Sequence, residues 1–124
     1  MNDQVNFVYN KEGGVVRKGN MGIDVELIRP KIEFIKHKFL SGAEQQLLPT
    51  PDAQMLTLLW SCKEAVYKWY GRGGVDFKSH ILIKNISITG NTGIVACRFT
   101  KEMEKDLSIE FHLFRGLCLA WVIE

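Results

Sequence analysis

Two pairs of charged residues have types and spacing that could do chemistry. Asp24 and Glu26 stand two apart in residues 21–28 (MGIDVELI), where apolar and polar side chains alternate. Ile23, Val25 and Leu27 take one face and the two acids the other, the period of a strand with one buried face. The carboxylates therefore leave the same side, with Cα atoms about 6.5–7 Å apart. Acids this close repel unless a cation lies between them, and a hard dication such as Mg2+ suits all-oxygen ligands. A solvated outer strand face also accounts for D-x-E, without any chemistry. Glu64 and Lys68 stand four apart in a helical pattern and so share a face. By themselves they read as an exposed ion pair worth about 0.3–0.5 kcal/mol.

The elements that must position these groups follow from pattern and punctuation. Residues 5–9 (VNFVY) read as a short strand and Val15-Val16 as a second, with turn signals at Gly13-Gly14 and Gly19-Asn20. Arg29-Pro30 ends the acidic strand. Residues 30–40 place Ile32, Ile35 and Phe39 at helical spacing, with Phe34 beside them. Ser41 and Glu44 match a capping box, which predicts a short helix over about 42–48. Thr50-Pro51-Asp52 reads as a helix start, with threonine as the cap and proline first, so a long helix is expected over residues 51–70, stopping at Gly71. Gly71, Gly73 and Gly74 make a flexible exit. Strands are expected at 81–89, 94–99, 107–114 and 117–123, with a hairpin loop at 90–93 and a tight turn at Arg115-Gly116. The fold class is α+β, an antiparallel sheet packed against one long and one shorter helix, in a single domain over residues 1–124.

Bulk composition narrows the function classes. A chain of 124 residues with 46% hydrophobic and 24% charged residues has the make-up of one globular domain, not of a low-complexity segment. Sixteen basic against fourteen acidic residues give a net charge of +2, too weak a bias to argue for nucleic acid. Cys62, Cys97 and Cys118 are widely spaced and odd in number, which indicates buried reduced thiols instead of a disulfide framework or zinc site. His37, His80 and His112 lack metal-ligand spacing. No stretch approaches the roughly 18 apolar residues that span a membrane, and the first ten residues carry no apolar leader, so a cytoplasmic protein is expected.

Three segments gain weight together: GIDVE (residues 22–26), FLSGAE (39–44) and WSCKEAVYK (60–68). In this order and at these distances they resemble the 4'-phosphopantetheinyl transferase superfamily, whose pattern is a G-[IV]-D-x-E strand, an F-x-S-x-x-E segment and a W-[ST]-x-K-E-A-x-x-K helix. The resemblance is close over residues 21–74 and loose over the later strands. D-x-E spacing is that of the two-lobed, Sfp-like branch, whereas the length is that of the short carrier-protein-synthase branch. The chain thus looks like one lobe, the C-terminal half, of the two-lobed kind. In that branch a preceding strand carries a histidine that contacts coenzyme A; the corresponding residues 7–12 (FVYNKE) hold none.

The resemblance implies Mg2+-dependent transfer of 4'-phosphopantetheine from coenzyme A to a serine of an acyl or peptidyl carrier protein. Asp24, Glu26 and Glu64 would hold the metal, Glu64 would serve as base, and Lys68 would contact phosphate and protonate the leaving group. Lys63 is a further candidate for phosphate contact. A homo-oligomer, dimer or trimer, would supply the face that a partner lobe normally covers. Arg29, Lys31, Lys36 and Lys38 form either a solvated face or a dock for an acidic carrier. Trp60, Trp69 and Tyr70 are expected to pack. A non-catalytic single-lobe relative, or half of a two-lobed enzyme, that binds coenzyme A or a carrier is the alternative.

Overall fold

In the computed structural model, residues 22–48 and 50–123 are described, with the backbone of two short strands before them. Those strands, β1 (Phe7–Tyr9) and β2 (Val15–Arg17), pair antiparallel as a separate two-stranded sheet. They fall where short strands were expected, while the start of the first at residues 5–6 and both glycine turns lie outside the described residues.

The main sheet has five antiparallel strands in the order β3-β7-β6-β5-β4. These are β3 (Ile23–Leu27), β4 (Ile81–Thr89), β5 (Thr92–Phe99), β6 (Lys105–Phe114) and β7 (Leu117–Ile123). Thus β4 and β7 begin and end at the expected residues, β5 and β6 each begin two residues earlier, and the first hairpin loop shrinks to Gly90-Asn91. The β6–β7 turn has φ of 50° at Arg115 and 76° at Gly116. Positive φ at both central residues suits a tight hairpin, because its twist then matches the strands.

One long helix, α3 (Ala53–Tyr70), lies across this sheet. Its cap is Asp52, whose Oδ1 accepts the Met55 N–H at 2.8 Å, so the helix starts two residues later than Thr50-Pro51 suggested. Gly71 stops it in the left-handed region at φ 74°, a conformation that a Cβ disfavours. Leu56, Leu59, Cys62 and Val66 from the helix share the core with Val95, Phe99, Ile109 and Phe111 from the strands. Each such side chain contributes about 1.5–3 kcal/mol by leaving water.

Residues 30–40 do not make one helix. Pro30–Ile35 is a 3-10 helix that passes into a single α-turn, α1 (Lys36–Phe39). Phe39 is fully buried, whereas Phe34 is 80% exposed. The next helix, α2 (Gly42–Leu47), begins with the expected capping box: Ser41 Oγ accepts the Glu44 N–H at 3.2 Å, and Glu44 Oε1 accepts the Ser41 N–H at 2.8 Å.

Glu44 also ties distant segments together. Its Oε2 accepts the Ile83 N–H at 2.7 Å, on the sheet-edge strand where the β4–β5 register shifts. Its Oε1 accepts from Lys63 Nζ at 2.8 Å. Lys63 is fully buried and gives its other hydrogen bonds to the carbonyls of Phe39 and Phe77, at 2.8 and 2.7 Å. One buried ion pair therefore joins α1, α2, α3, β4 and the segment before β4. Burial pulls the Lys63 ammonium below the usual lysine range, and the Glu44 carboxylate works against that shift.

Candidate functional site

The acidic strand lies against the helix in the opposite sense to its hydrophobicity. Asp24 is 4% exposed, while Val25 and Leu27 are 56% and 54% exposed. So the acid face of β3 is the one turned toward α3, and its apolar face is outward. Close approach makes this possible. A Cβ on Gly22 would stand 1.9 Å from the Ala65 carbonyl oxygen and 2.9 Å from Trp69 Cβ, so only glycine lets the strand begin flat on the helix backbone.

Helix α3 supplies both hydrogen-bond partners of Asp24 among the described residues. Ser61 and Lys68 are seven apart and lie on one face. Ser61 Oγ donates to Asp24 Oδ2 at 2.9 Å, and Lys68 Nζ donates to Asp24 Oδ1 at 2.8 Å. The same ion pair holds Lys68 with its side chain about half exposed. Asp24 keeps the Lys68 ammonium above the usual lysine range, through the hydrogen bond and then through its charge. Trp60 and Glu64, four apart, face the next acid along the strand. Glu26 feels Asp24 and Glu64, both of which raise it, while Trp60 acts in the opposite sense. Burial, and after it Asp24, push Glu26 up to about 7. Glu64 is also pushed up, by burial and then by Asp24, with Lys68 opposing.

The expected set of Asp24, Glu26, Glu64 and Lys68 is thus brought together, on the outward-opening end of the α3–β3 contact. Lys63 is not part of it. It is adjacent to Glu64 in sequence, but one residue turns a helix by about 100°, which sends its side chain into the core where all its hydrogen bonds are taken. Trp60 belongs to the site although its spacing suggested packing alone. It packs on Phe39 and Phe77, with ring centroids 5.3 and 5.4 Å away, and together with Glu26 it lines a pocket. An aromatic at i−4 from a candidate base was the available signal. Trp69 and Tyr70 are buried against Phe99, as expected of packing residues. The histidines stay away: His80 Nδ1 accepts the Asp76 N–H at 2.8 Å, and His112 packs on Trp121.

A pocket of about 610 Å³ opens beside Glu26. Leu27, Ile32, Ile35 and Trp60 give it apolar walls, and Arg29 and Lys31 are cations in its lining. Lys36 and Lys38 are absent from that lining. The pocket could take an elongated, mostly neutral group next to an anionic one.

Asp24, Glu26 and Glu64 offer oxygen donors of the kind that a hard dication takes. Burial comes first in raising Glu26 and Glu64, and the charge of Asp24 adds to it in both, a repulsion that a cation would relieve. Among the described residues no three acid, histidine or cysteine side chains are already drawn together as ligands. Lys68 provides the positive charge on Asp24 in this arrangement. Among the described residues no helix is long and apolar enough to cross a membrane. None of the curated proteins compared matches the chain. The profile of the 4'-phosphopantetheinyl transferase superfamily, by contrast, matches residues 20–122, which include α3, all four charged residues and the five-stranded sheet apart from the last residue of β7. The chain belongs to the 4'-phosphopantetheinyl transferase superfamily.

Proposed function

We propose that this chain transfers 4'-phosphopantetheine from coenzyme A to a serine hydroxyl of an acyl or peptidyl carrier protein. Family membership supports a transfer of this type. The observation that carries the reading is the convergence of Asp24, Glu26, Glu64 and Lys68 on one end of the α3–β3 contact. Asp24, Glu26 and Glu64 would hold Mg2+, which when bound would neutralise charge on the pyrophosphate of coenzyme A.

In this mechanism the serine oxygen forms a bond to the phosphorus that carries pantetheine. The bond from that phosphorus to the bridging oxygen breaks, and 3',5'-adenosine bisphosphate leaves. Glu64 takes the serine proton; burial and Asp24 make its carboxylate more basic than an exposed one. Lys68, held charged beside Asp24, donates to phosphate oxygens and supplies a proton to the leaving phosphate. Trp60 walls the pocket beside Glu26, which excludes water from the neutral part of the substrate. Lys63 has no part in phosphate contact; it holds the helix in place.

Residues 1–124 would act as one domain, in a homo-oligomeric dimer or trimer in the cytoplasm, where coenzyme A and carriers meet. The test is a transfer assay read by mass spectrometry. The protein is incubated with coenzyme A, Mg2+ and several apo carrier proteins, with Glu64→Ala in parallel. Added phosphopantetheine mass that disappears in Glu64→Ala is the expected result. A folded parent that modifies no carrier would move the assignment to a non-catalytic relative that binds coenzyme A or a carrier.

A further inference from the structure

We propose that Ser61 is a positioning residue for the carboxylate cluster: its hydroxyl holds Asp24 so that one oxygen is committed inward and the other is presented to the site. The inference rests on the metal-binding reading given above. Ser61 is fully buried and Asp24 nearly so, and Ser61 Oγ lies 2.9 Å from Asp24 Oδ2, although the two are 37 positions apart in the chain. Lys68 donates to the other oxygen, Oδ1.

The default for a hydroxyl inside a helix is to bond the carbonyl four residues back. Thr57, one turn earlier on the same helix, does this, with Oγ1 2.7 Å from the Ala53 carbonyl oxygen. Ser61 instead gives its only proton to a strand. That bond removes rotational freedom from the hydroxyl and the acid alike. Without Ser61, Asp24 Oδ2 would lose its one hydrogen bond from α3 on the inward side, and the carboxylate could turn toward solvent and Lys68. Outer partners that orient a ligating carboxylate typically change metal affinity 10–100-fold when removed.

Calorimetric titration of Mg2+ into the parent, Ser61→Ala and Ser61→Thr, without substrate, tests this. Ser61→Ala should bind Mg2+ roughly 10–100-fold more weakly. Ser61→Thr keeps the hydroxyl and should stay within about threefold of the parent, a rescue that a purely packing role does not predict. Thr57→Ala is the control: it deletes a buried hydroxyl of the same helix that bonds only its own turn, and it should lower the melting temperature without moving the Mg2+ affinity. Ser61→Cys, which keeps the volume and weakens the donor, replaces Ser61→Ala if the latter does not fold. Parent-like Mg2+ affinity in the folded Ser61 variant overturns the positioning role alone. Absence of Mg2+ binding by the parent overturns the metal reading, and this inference with it.

Discussion

Replacing Lys63 by methionine probes the pair that joins the helices to the edge of the sheet. Methionine has a similar length and keeps the apolar stem, so the change removes mainly the ammonium. Glu44, 4% exposed, would keep its bonds from the Ser41 and Ile83 amides but lose its counter-charge. The carbonyls of Phe39 and Phe77 would lose a donor as well. Removing one partner of a buried pair costs about 3–5 kcal/mol, because the survivor stays buried and uncompensated. A domain of this size has a total stability of about 5–15 kcal/mol, so Lys63→Met should remove a large part of it. The midpoint of thermal unfolding should fall by roughly 10–20 °C. The double variant Lys63→Met/Glu44→Gln removes the orphaned charge, although glutamine's single carbonyl oxygen keeps an acceptor for only one of the two amides, so it should be no less stable than the single variant. Urea unfolding followed by circular dichroism measures both. The pH dependence has a defined sign. Lys63 titrates below its unfolded value, so in the alkaline range between the two the unfolded chain binds more protons, and this group adds stability as pH rises. Lys63→Met should lack that slope. A loss below about 1 kcal/mol in the single variant, or a double variant less stable than the single, would refute the account of this pair.

Gly22→Ala would press a Cβ to within 1.9 Å of the Ala65 carbonyl oxygen, so β3 must lift from α3. We expect a loss of about 2–3 kcal/mol or more, together with a weaker stabilisation by Mg2+, both measurable as melting temperatures with and without the metal. Ser41→Ala removes the cap on the Glu44 amide and should cost about 1 kcal/mol in urea unfolding. Burial pushes the Cys97 thiol up to about 12 and the Cys118 thiol up to about 11, with Cys62 raised well above the ordinary value. At pH 8 fewer than about one in a hundred of the Cys97 and Cys118 thiols is ionised, and burial suppresses the Cys62 thiolate too, so a colorimetric thiol reagent should react slowly with the native protein and with all three cysteines in urea. Fast reaction of the folded protein would contradict their burial.

Local signals in the sequence carried much of this structure. Ser41 and Glu44 announce their capping box in four residues, and Arg115-Gly116 announces its hairpin in two. The helix start was harder. Thr50, Pro51 and Asp52 offer two capping side chains two residues apart, and only the reach of Asp52 to the Met55 amide decides between them. Asp24, Glu26, Glu64 and Lys68 could be grouped because their segments share an order with a known family, and because i,i+4 spacing places the latter two on one helix face. The roles of Lys63 and Ser61 were not legible in the same way. Lys63 depends on three carbonyl and carboxylate oxygens from segments 14 to 24 residues away, and Ser61 on an acid 37 residues away. Spacing along one helix says which residues are neighbours on it, not what lies across from them. The direction of β3 was ambiguous for a related reason. A period of two defines two faces, and the partners on α3, not the hydrophobicity of the strand, select the buried one.

That inversion makes the register of β3 depend on polar contacts. Sliding an edge strand by a single residue exchanges its faces. Here a slip against β7 would bury Val25 and Leu27 and expel Asp24 and Glu26, an arrangement that apolar burial favours. What opposes it is the glycine at 22 and the grip of Ser61 and Lys68 on Asp24. The pairing of Asp24 with Ala120 and Glu26 with Cys118 is therefore one of two competing alignments, and the residues that would bind and transfer the substrate are the ones that choose between them. In this strand, the site specifies the fold as much as the fold builds the site.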